Sequence, residues 1–265
     1  MKNFFKRIGI MQGRLCSDSL KTLNIYPNNP IGEFYLAKKF ELSHIEFLTE
    51  EKLNPNNYIW DVNKINLMDK NIRKYGLKRV SFTDNLSIEK KFFLNLGYYK
   101  KLIFNIQKLK INNFIIPLYN QGYFRKKNLL ETYKGLKKLS NYCKNSNINL
   151  LIETDINFEN FQNLIKNVKN NQIGLVFDTG NRSIKKKNSN LDILKFKKNI
   201  KHVHLKDKDK NGKNVRFGKG LVNFRDFFKK LSKINYDGYF TIEASRGNNP
   251  IRNLKHNLKY IRKLM

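Results

Sequence analysis

The chain has 265 residues, 40% of them hydrophobic, with 20 Phe and 13 Tyr, enough for one large core and too many for a disordered chain. Its charge is extreme, 53 basic against 21 acidic residues for a net +32, yet the lysines are scattered along the whole length. That scatter speaks for coding composition and against a basic tail or patch built for a polyanion, although it would still draw in an anionic small substrate. Two cysteines are too few for a disulfide framework or a Cys-based zinc site, so a cytoplasmic location is expected. The opening MKNFFKRIGIMQGR is interrupted by Gln12, Gly13 and Arg14 and makes a poor signal peptide. No run of about 18 apolar residues would span a membrane. Five prolines and no Ser/Gly-rich run leave no linker, so residues 1–265 are expected to form one domain.

In chain order, Lys6–Leu15 reads as a first buried strand with Gln12 and Arg14 near its end. A helix follows from Pro30 through IGEFYLAKKFEL, then a short strand, His44–Glu50. The apolar spacing over Trp60–Tyr75 predicts a helix stopped by Gly76. Lys78–Asp84 is a third strand, Ser87–Lys110 a long helix and Phe114–Asn120 a fourth strand, with Pro117 awkward in a central ladder. Leu129–Asn145 is helical, Leu150–Asp155 the fifth strand, Phe158–Val168 a short helix and Ile173–Asn181 the sixth strand with its turn. Leu191–Lys198 is a short helix and Ile200–Asp207 the seventh strand, on which His202, His204 and Lys206 share one face. That strand leads into a charged, mobile loop reaching Gly220. An amphipathic helix over Val222–Ile234, a strand over Gly238–Ser245 and a helix over Pro250–Leu264 complete the pattern. Eight strand-helix units predict an α/β fold, a (β/α)8 TIM barrel. A doubly wound sheet is disfavoured because GIMQGR is not a dinucleotide fingerprint and no P-loop is present.

In such a barrel the C-terminal strand ends face the active site. Those ends carry Glu153, Asp178, His204 and Glu243, from four consecutive strands. Any one of them alone would be an ordinary cap, turn former or polar contact. Three buried carboxylates side by side would repel, and a divalent cation resolves the conflict. Oxygen-rich ligation with one imidazole suits Mn²⁺ first, then Co²⁺ or Mg²⁺, with Zn²⁺ also compatible.

The segments LLIETD, GLVFDTGN, HVHLKD with the later GKGLVNF, and FTIEAS resemble the sugar phosphate isomerase/epimerase group of xylose isomerase-like TIM barrels, as does the opening IGIMQGRL. The resemblance covers essentially the whole chain and is strongest over Leu150–Ser245. It implies that Glu153, Asp178, His204 and Glu243 bind one divalent metal, and that Glu153 and Glu243 also act as the acid/base pair on opposite faces of a sugar or sugar phosphate. A metal on the carbonyl would stabilise an enediolate; one carboxylate would remove the proton α to it and a carboxylate would return one, giving epimerisation or aldose–ketose isomerisation. Dehydratases acting on inososes and hydroxypyruvate isomerases of the same superfamily are the alternative. Homo-dimers or tetramers are implied by resemblance only.

Further substrate contacts are expected from Asn181, Lys206, Arg216, Arg14 and Glu46. Asn181 stands where relatives resemble one another in carrying a substrate-binding His. Arg216 and Arg14 are candidates to hold a phosphate or carboxylate, and Glu46 to orient a ligand or pair with a lysine. For the lysine and the two arginines, a solvated rim role is the plain alternative. His202 is expected to pack beneath the site, and His44 and His256 to be structural. Barrels that repair abasic DNA share the Glu, Asp, His and Glu ligands but add several histidines for a trinuclear zinc site. With four His in all, and DKDKNGK after His204, this chain speaks against that reading and against a nucleic-acid partner. A non-catalytic metal- or sugar-binding barrel is the remaining rival.

Overall fold

The computed structural model describes residues 4–16, 24–118, 122–170, 173–185 and 189–264. Eight parallel strands close into a barrel: Ile8–Met11, Ile45–Thr49, Ser81–Asp84, Asn113–Pro117, Asn149–Glu153, Gly174–Asp178, Ile200–Leu205 and Tyr239–Ile242. Each strand pairs with the strands before and after it in sequence, and the eighth closes on the first through Ile8–Phe240, Gly9–Thr241 and Ile10–Ile242. Helices between the strands cover the outside, as parallel pairing requires. The expected barrel is therefore the fold.

Strand alternation sorts the side chains. Odd and even positions go either to the helix-covered layer, where Phe47, Phe82, Phe114, Ile152, Phe177, Val203 and Phe240 join one continuous core, or to the lumen. Ile115, Leu151 and Val176 form a separate buried cluster that fills the lumen beside the fourth to sixth strands. On the other side the lumen is polar, with Glu46, Ser81, Thr83, His202, His204 and Thr241 all buried.

Most helix limits follow local signals. Asp61 caps Val62–Tyr75 by accepting from the Asn63 and Lys64 amides, and Gly76 ends it at φ 65°. Asn157, Asn223 and Asn249 cap Phe158–Val168, Phe224–Lys233 and Pro250–Arg262 in the same way. The long helix expected over Ser87–Lys110 is instead broken into Leu86–Glu89, a 3-10 turn at Phe92–Leu94, and Leu96–Lys108. The buried Tyr123 hydroxyl causes the break: it donates to the Ser87 carbonyl (2.8 Å) and accepts from the Phe92 amide (3.2 Å), groups an unbroken helix would pair internally. Pro117 is tolerated because it ends its strand, and the Leu118 amide continues the ladder to the Glu153 carbonyl (2.9 Å). The fourth strand's expected extension to residues 119 and 120 lies outside the described residues.

The segment after the seventh strand is not the open loop expected. Asp207–Lys208 pairs antiparallel with Asn214–Val215. The buried Asp207 carboxylate gathers the amides of Gly218 (2.9 Å), Gly220 (3.0 Å) and Val222 (3.1 Å). Gly220 is required there, since a Cβ would stand 2.2 Å from Asp207 Oδ1. Local charge suggested mobility; one aspartate bonded to three amides organises the segment instead.

Candidate metal centre

Glu153 and Asp178 are the last residues of the fifth and sixth strands, His204 lies opposite Asp178 and Thr241 in the ladder, and Glu243 follows the eighth strand. The Glu243 amide donates to the Leu205 carbonyl (3.0 Å), which prolongs the ladder past the strand. All four side chains are buried, and each offers a ligand atom within 4.8 Å of the others. His204 Nδ1 stands 3.2 Å from Glu243 Oε2 and 3.4 Å from Glu153 Oε2. Atoms bound to one cation at about 2.1 Å stand about 3.0–3.4 Å apart, so these spacings suit a shared ion. His204 Nδ1, Asp178 Oδ2 and Glu243 Oε2 are buried and face one another, with the Lys206 ammonium against the two carboxylate oxygens. Three ligand atoms converging in a dry site, whose carboxylate charge Lys206 balances only in part, fit a divalent cation.

The layer beneath sets the imidazole. Glu46 is fully buried, and its carboxylate meets five donors: Thr83 Oγ1 (2.7 Å) and His204 Nε2 (2.9 Å) at Oε1, and Ser81 Oγ (2.6 Å), Thr241 Oγ1 (2.9 Å) and His202 Nε2 (2.9 Å) at Oε2. Burial disfavours its charge, but His204 and His202 outweigh burial and hold the carboxyl well below the usual range. By accepting from Nε2, Glu46 points Nδ1 of His204 at Glu153 and Glu243, the arrangement by which carboxylates orient metal-binding histidines. Against burial, Glu46 and Glu153 hold this imidazole well above its ordinary range in the metal-free protein, and a bound metal would take the place of its Nδ1 proton. His44, Glu46 and His202 also cluster closely. Glu46 is saturated by donors, however, and His44 is complete as a neutral ring, accepting from Ser43 Oγ (2.7 Å) and meeting Thr241 Oγ1 (3.0 Å) through Nε2. Burial and His202 push the His44 imidazole down to about 3. That second cluster is a hydrogen-bonded support.

Charges in the upper layer are unequal. Burial raises the Glu153 carboxyl, and the pull of His204 only partly offsets it. Glu243 is equally buried, yet Lys206, His204 and Arg14 hold it far below the usual range. Lys206 Nζ lies 2.8 Å from Glu243 Oε2 and 3.0 Å from Asp178 Oδ2. Arg14, lowered by burial to about 10, lies 3.9 Å from Glu243 Oε1. The loop that carries Arg14 is held by buried Glu33, which accepts from the Gly13, Leu15 and Cys16 amides (2.9, 2.9 and 3.2 Å). Asp178 is more than a turn former: its Oδ1 accepts the Asn181 amide (2.6 Å) at the start of the helix Thr179–Lys185, while Oδ2 faces Lys206.

The structure thus gathers Glu153, Asp178, His204, Glu243, Lys206 and Arg14, with Asn181 Nδ2 3.4 Å from Glu153 Oε1. Glu46 sits under His204 and lines no opening. Arg216 is exposed and donates to Asn253 Oδ1 (2.6 Å) on the last helix, with no contact to the four ligands. His256 faces the Phe217 carbonyl at 3.2 Å, a structural place. Sequence reasoning passed over Ser81, Thr83, Thr241 and Glu33. A signal existed for the first three: polar residues two apart in otherwise apolar strands, as in Ser81/Thr83 and Thr241/Glu243, mark the lumen face.

Among the described residues no helix is long and apolar enough to cross a membrane. An inosose dehydratase of Mesomycoplasma hyopneumoniae (strain 7448) is 25% identical over 194 residues, covering 63% of this chain and 65% of that protein, so the chain matches less than two thirds of that relative's length. A D-allulose 3-epimerase from Methylomonas sp. superposes with a TM-score of 0.75 at 14% identity over 98% of each chain. A protein named IolI, solved with a bound zinc atom, superposes at 0.73 with 14% identity over 97% of each chain. At such identities the superpositions establish a common fold. The sequence profile of xylose isomerase-like TIM barrels matches residues 34–264, and with a closed barrel carrying this centre at its C-terminal rim, the chain belongs to that family.

Proposed function

We propose that this chain catalyses metal-dependent proton transfer next to the carbonyl of a sugar or sugar phosphate, with epimerisation or isomerisation as the outcome. The observation that carries the proposal is the meeting of Glu153, Asp178, His204 and Glu243, one ligand atom each within 4.8 Å, at the ends of consecutive strands. These four would hold one divalent ion. When bound, the ion supplies Lewis acidity that makes the proton α to the carbonyl easier to remove. Mn²⁺ suits the three oxygens and one nitrogen, and the zinc of IolI keeps Zn²⁺ in view. Glu153 and Glu243 supply the proton chemistry. Their environments push them apart, Glu153 towards the protonated form and Glu243 towards the ionised form, which suits one to give and the other to take. Asn181 beside Glu153 and Arg14 beside Glu243 are placed to contact substrate oxygens.

Dehydration of an inosose is the second reading, favoured by the inosose dehydratases among the relatives. It begins with the same proton removal; loss of a hydroxyl from the neighbouring carbon, leaving as water with a donated proton, then completes it. One experiment separates these outcomes. Metal-loaded protein is incubated in D₂O with ketoses, ketose phosphates and inososes, and the α-carbon protons are followed by NMR, with Glu153→Gln and Glu243→Gln alongside. Deuterium entering one substrate, and lost in either variant, is the expected result; the product then distinguishes epimer, isomer and dehydrated ketone. Stoichiometric metal with no exchange in any of them overturns the proposal and favours a non-catalytic barrel.

A further inference from the structure

Lys206 is 3% exposed, and its ammonium touches two carboxylates of the candidate centre, Glu243 Oε2 and Asp178 Oδ2. Several features of the fold hold it there. The Thr179 hydroxyl accepts from the Lys206 amide (2.9 Å) and donates to the Lys206 carbonyl (2.6 Å), which fixes the backbone. Gly180 leaves room for the stem, since a Cβ there would stand 2.9 Å from Lys206 Cγ and 3.1 Å from its Cβ. The Asn181 amide takes Asp178 Oδ1 and so leaves Oδ2 for the ammonium. The run Asp178-Thr179-Gly180-Asn181 therefore builds both a ligand and the cradle of a cation.

We propose that Lys206 is a resident counter-cation of the centre, which holds Asp178 and Glu243 together in the metal-free protein and weakens the hold on the dication. The inference rests on the metal reading above. With Glu153 ionised on metal binding, the three ligating carboxylates carry three negative charges; a dication supplies two positive charges and Lys206 the third, while Arg14 offsets Glu46, so the loaded centre is neutral. Arg14 stands further off, 3.9 Å from the other oxygen of Glu243, and does not touch Asp178. An ammonium and a dication drawing on the same two oxygens repel each other across a dry site, where charge interactions are strong. Removing the ammonium leaves the carboxylates to the metal alone. Lys206 thus makes the metal exchangeable and spares the apo protein the mutual repulsion of its acids.

The test uses Lys206→Met, Lys206→Gln and Lys206→Arg, titrated with Mn²⁺ by calorimetry and, for tight binding, by competition with EGTA. Melting is followed with EDTA and with Mn²⁺. The Met and Gln variants are expected to bind Mn²⁺ at least about tenfold more tightly than the native chain. Both should melt lower in EDTA and gain more from Mn²⁺, while Lys206→Arg stays within about threefold of native affinity. A merely structural lysine would give the opposite sign, weaker binding from a disturbed site. If Met or Gln does not fold in EDTA, it is prepared with Mn²⁺ and the EGTA competition alone decides. Native protein that binds Mn²⁺ while both neutral variants bind equally or more weakly overturns this inference and leaves the metal reading standing. Native protein that binds no divalent ion overturns both.

Discussion

Replacing Glu46 by glutamine is the sharpest probe of how the barrel interior supports its rim. The carboxylate is fully buried and surrounded by five donors at 2.6–2.9 Å. An amide keeps the shape but exchanges one acceptor for a donor and removes the charge. Hydroxyls of Ser81, Thr83 and Thr241 can rotate to accept. An imidazole can accept at Nε2 only by moving its proton to Nδ1. His202 can make that change without breaking another bond, since its Nδ1 has no hydrogen-bond partner among the described residues. In His204 the change would fix a proton on Nδ1, the atom that faces Glu153 and Glu243 and that a metal would need free. The amide nitrogen therefore settles on the His202 side. Charge-assisted bonds contribute about 1.5–3 kcal/mol each, and two of them, to His202 and His204, are weakened or lost. We expect Glu46→Gln to lower unfolding free energy by about 3 kcal/mol in urea with EDTA. Mn²⁺ affinity should fall tenfold to a hundredfold, as loss of an outer partner of a ligating histidine does. A variant that loses stability but binds Mn²⁺ within twofold of native would refute the link between Glu46 and the His204 lone pair.

Other outcomes follow from single contacts. His44 is neutral in the fold, with its imidazole at about 3 against an ordinary 6.5. The unfolded chain gains a proton below 6.5 that the folded chain refuses until about 3, so His44 costs no stability above 6.5 and about 1.4 kcal/mol per pH unit as pH falls between those values. Urea titrations at pH 4–7 in EDTA should show His44→Gln with a shallower loss than native; parallel curves would exclude the assignment. Gly9→Ala would place a Cβ 2.4 Å from the His44 ring inside the barrel, and should cost about 1–3 kcal/mol or prevent folding; an unchanged melting temperature would show that the ring has room to move. Gly220→Ala drives a Cβ into Asp207 Oδ1 and towards the Lys208 carbonyl, 2.2 and 2.5 Å away. Limited proteolysis should then cut between residues 207 and 222 much faster than in the native chain, and an unchanged rate would remove Asp207 as the organiser of that segment.

Much of the fold was legible in the chain because barrels are built from short-range rules. Strand-sized apolar runs alternate with helix-period segments, and Gly76 marks a helix limit through bonds within a few residues. The four candidate ligands were legible for the same reason, since each stands at or within one residue of a strand end and all such ends meet at one rim. The break of the helix after Ser87 was not legible, because Tyr123, which causes it, lies some thirty residues away. The charged run after His204 looked open because nothing within it reveals that Asp207 bonds the amides of Gly218, Gly220 and Val222. Arg216 matched a phosphate ligand in type, yet the tertiary structure turns it to Asn253 on the last helix. Glu46, on the second strand, could be proposed as an orienting group, but its partners come from the third, seventh and eighth strands, and only barrel closure brings them together. Sequence by itself determined which residues form strands and helices, and which chemical groups stand at the rim, because those depend on neighbours along the chain. Tertiary structure decided which way His204 Nδ1 points, which carboxylate is pushed towards its protonated form and where Lys206 rests, because these depend on burial and on charges carried by strands far apart in sequence.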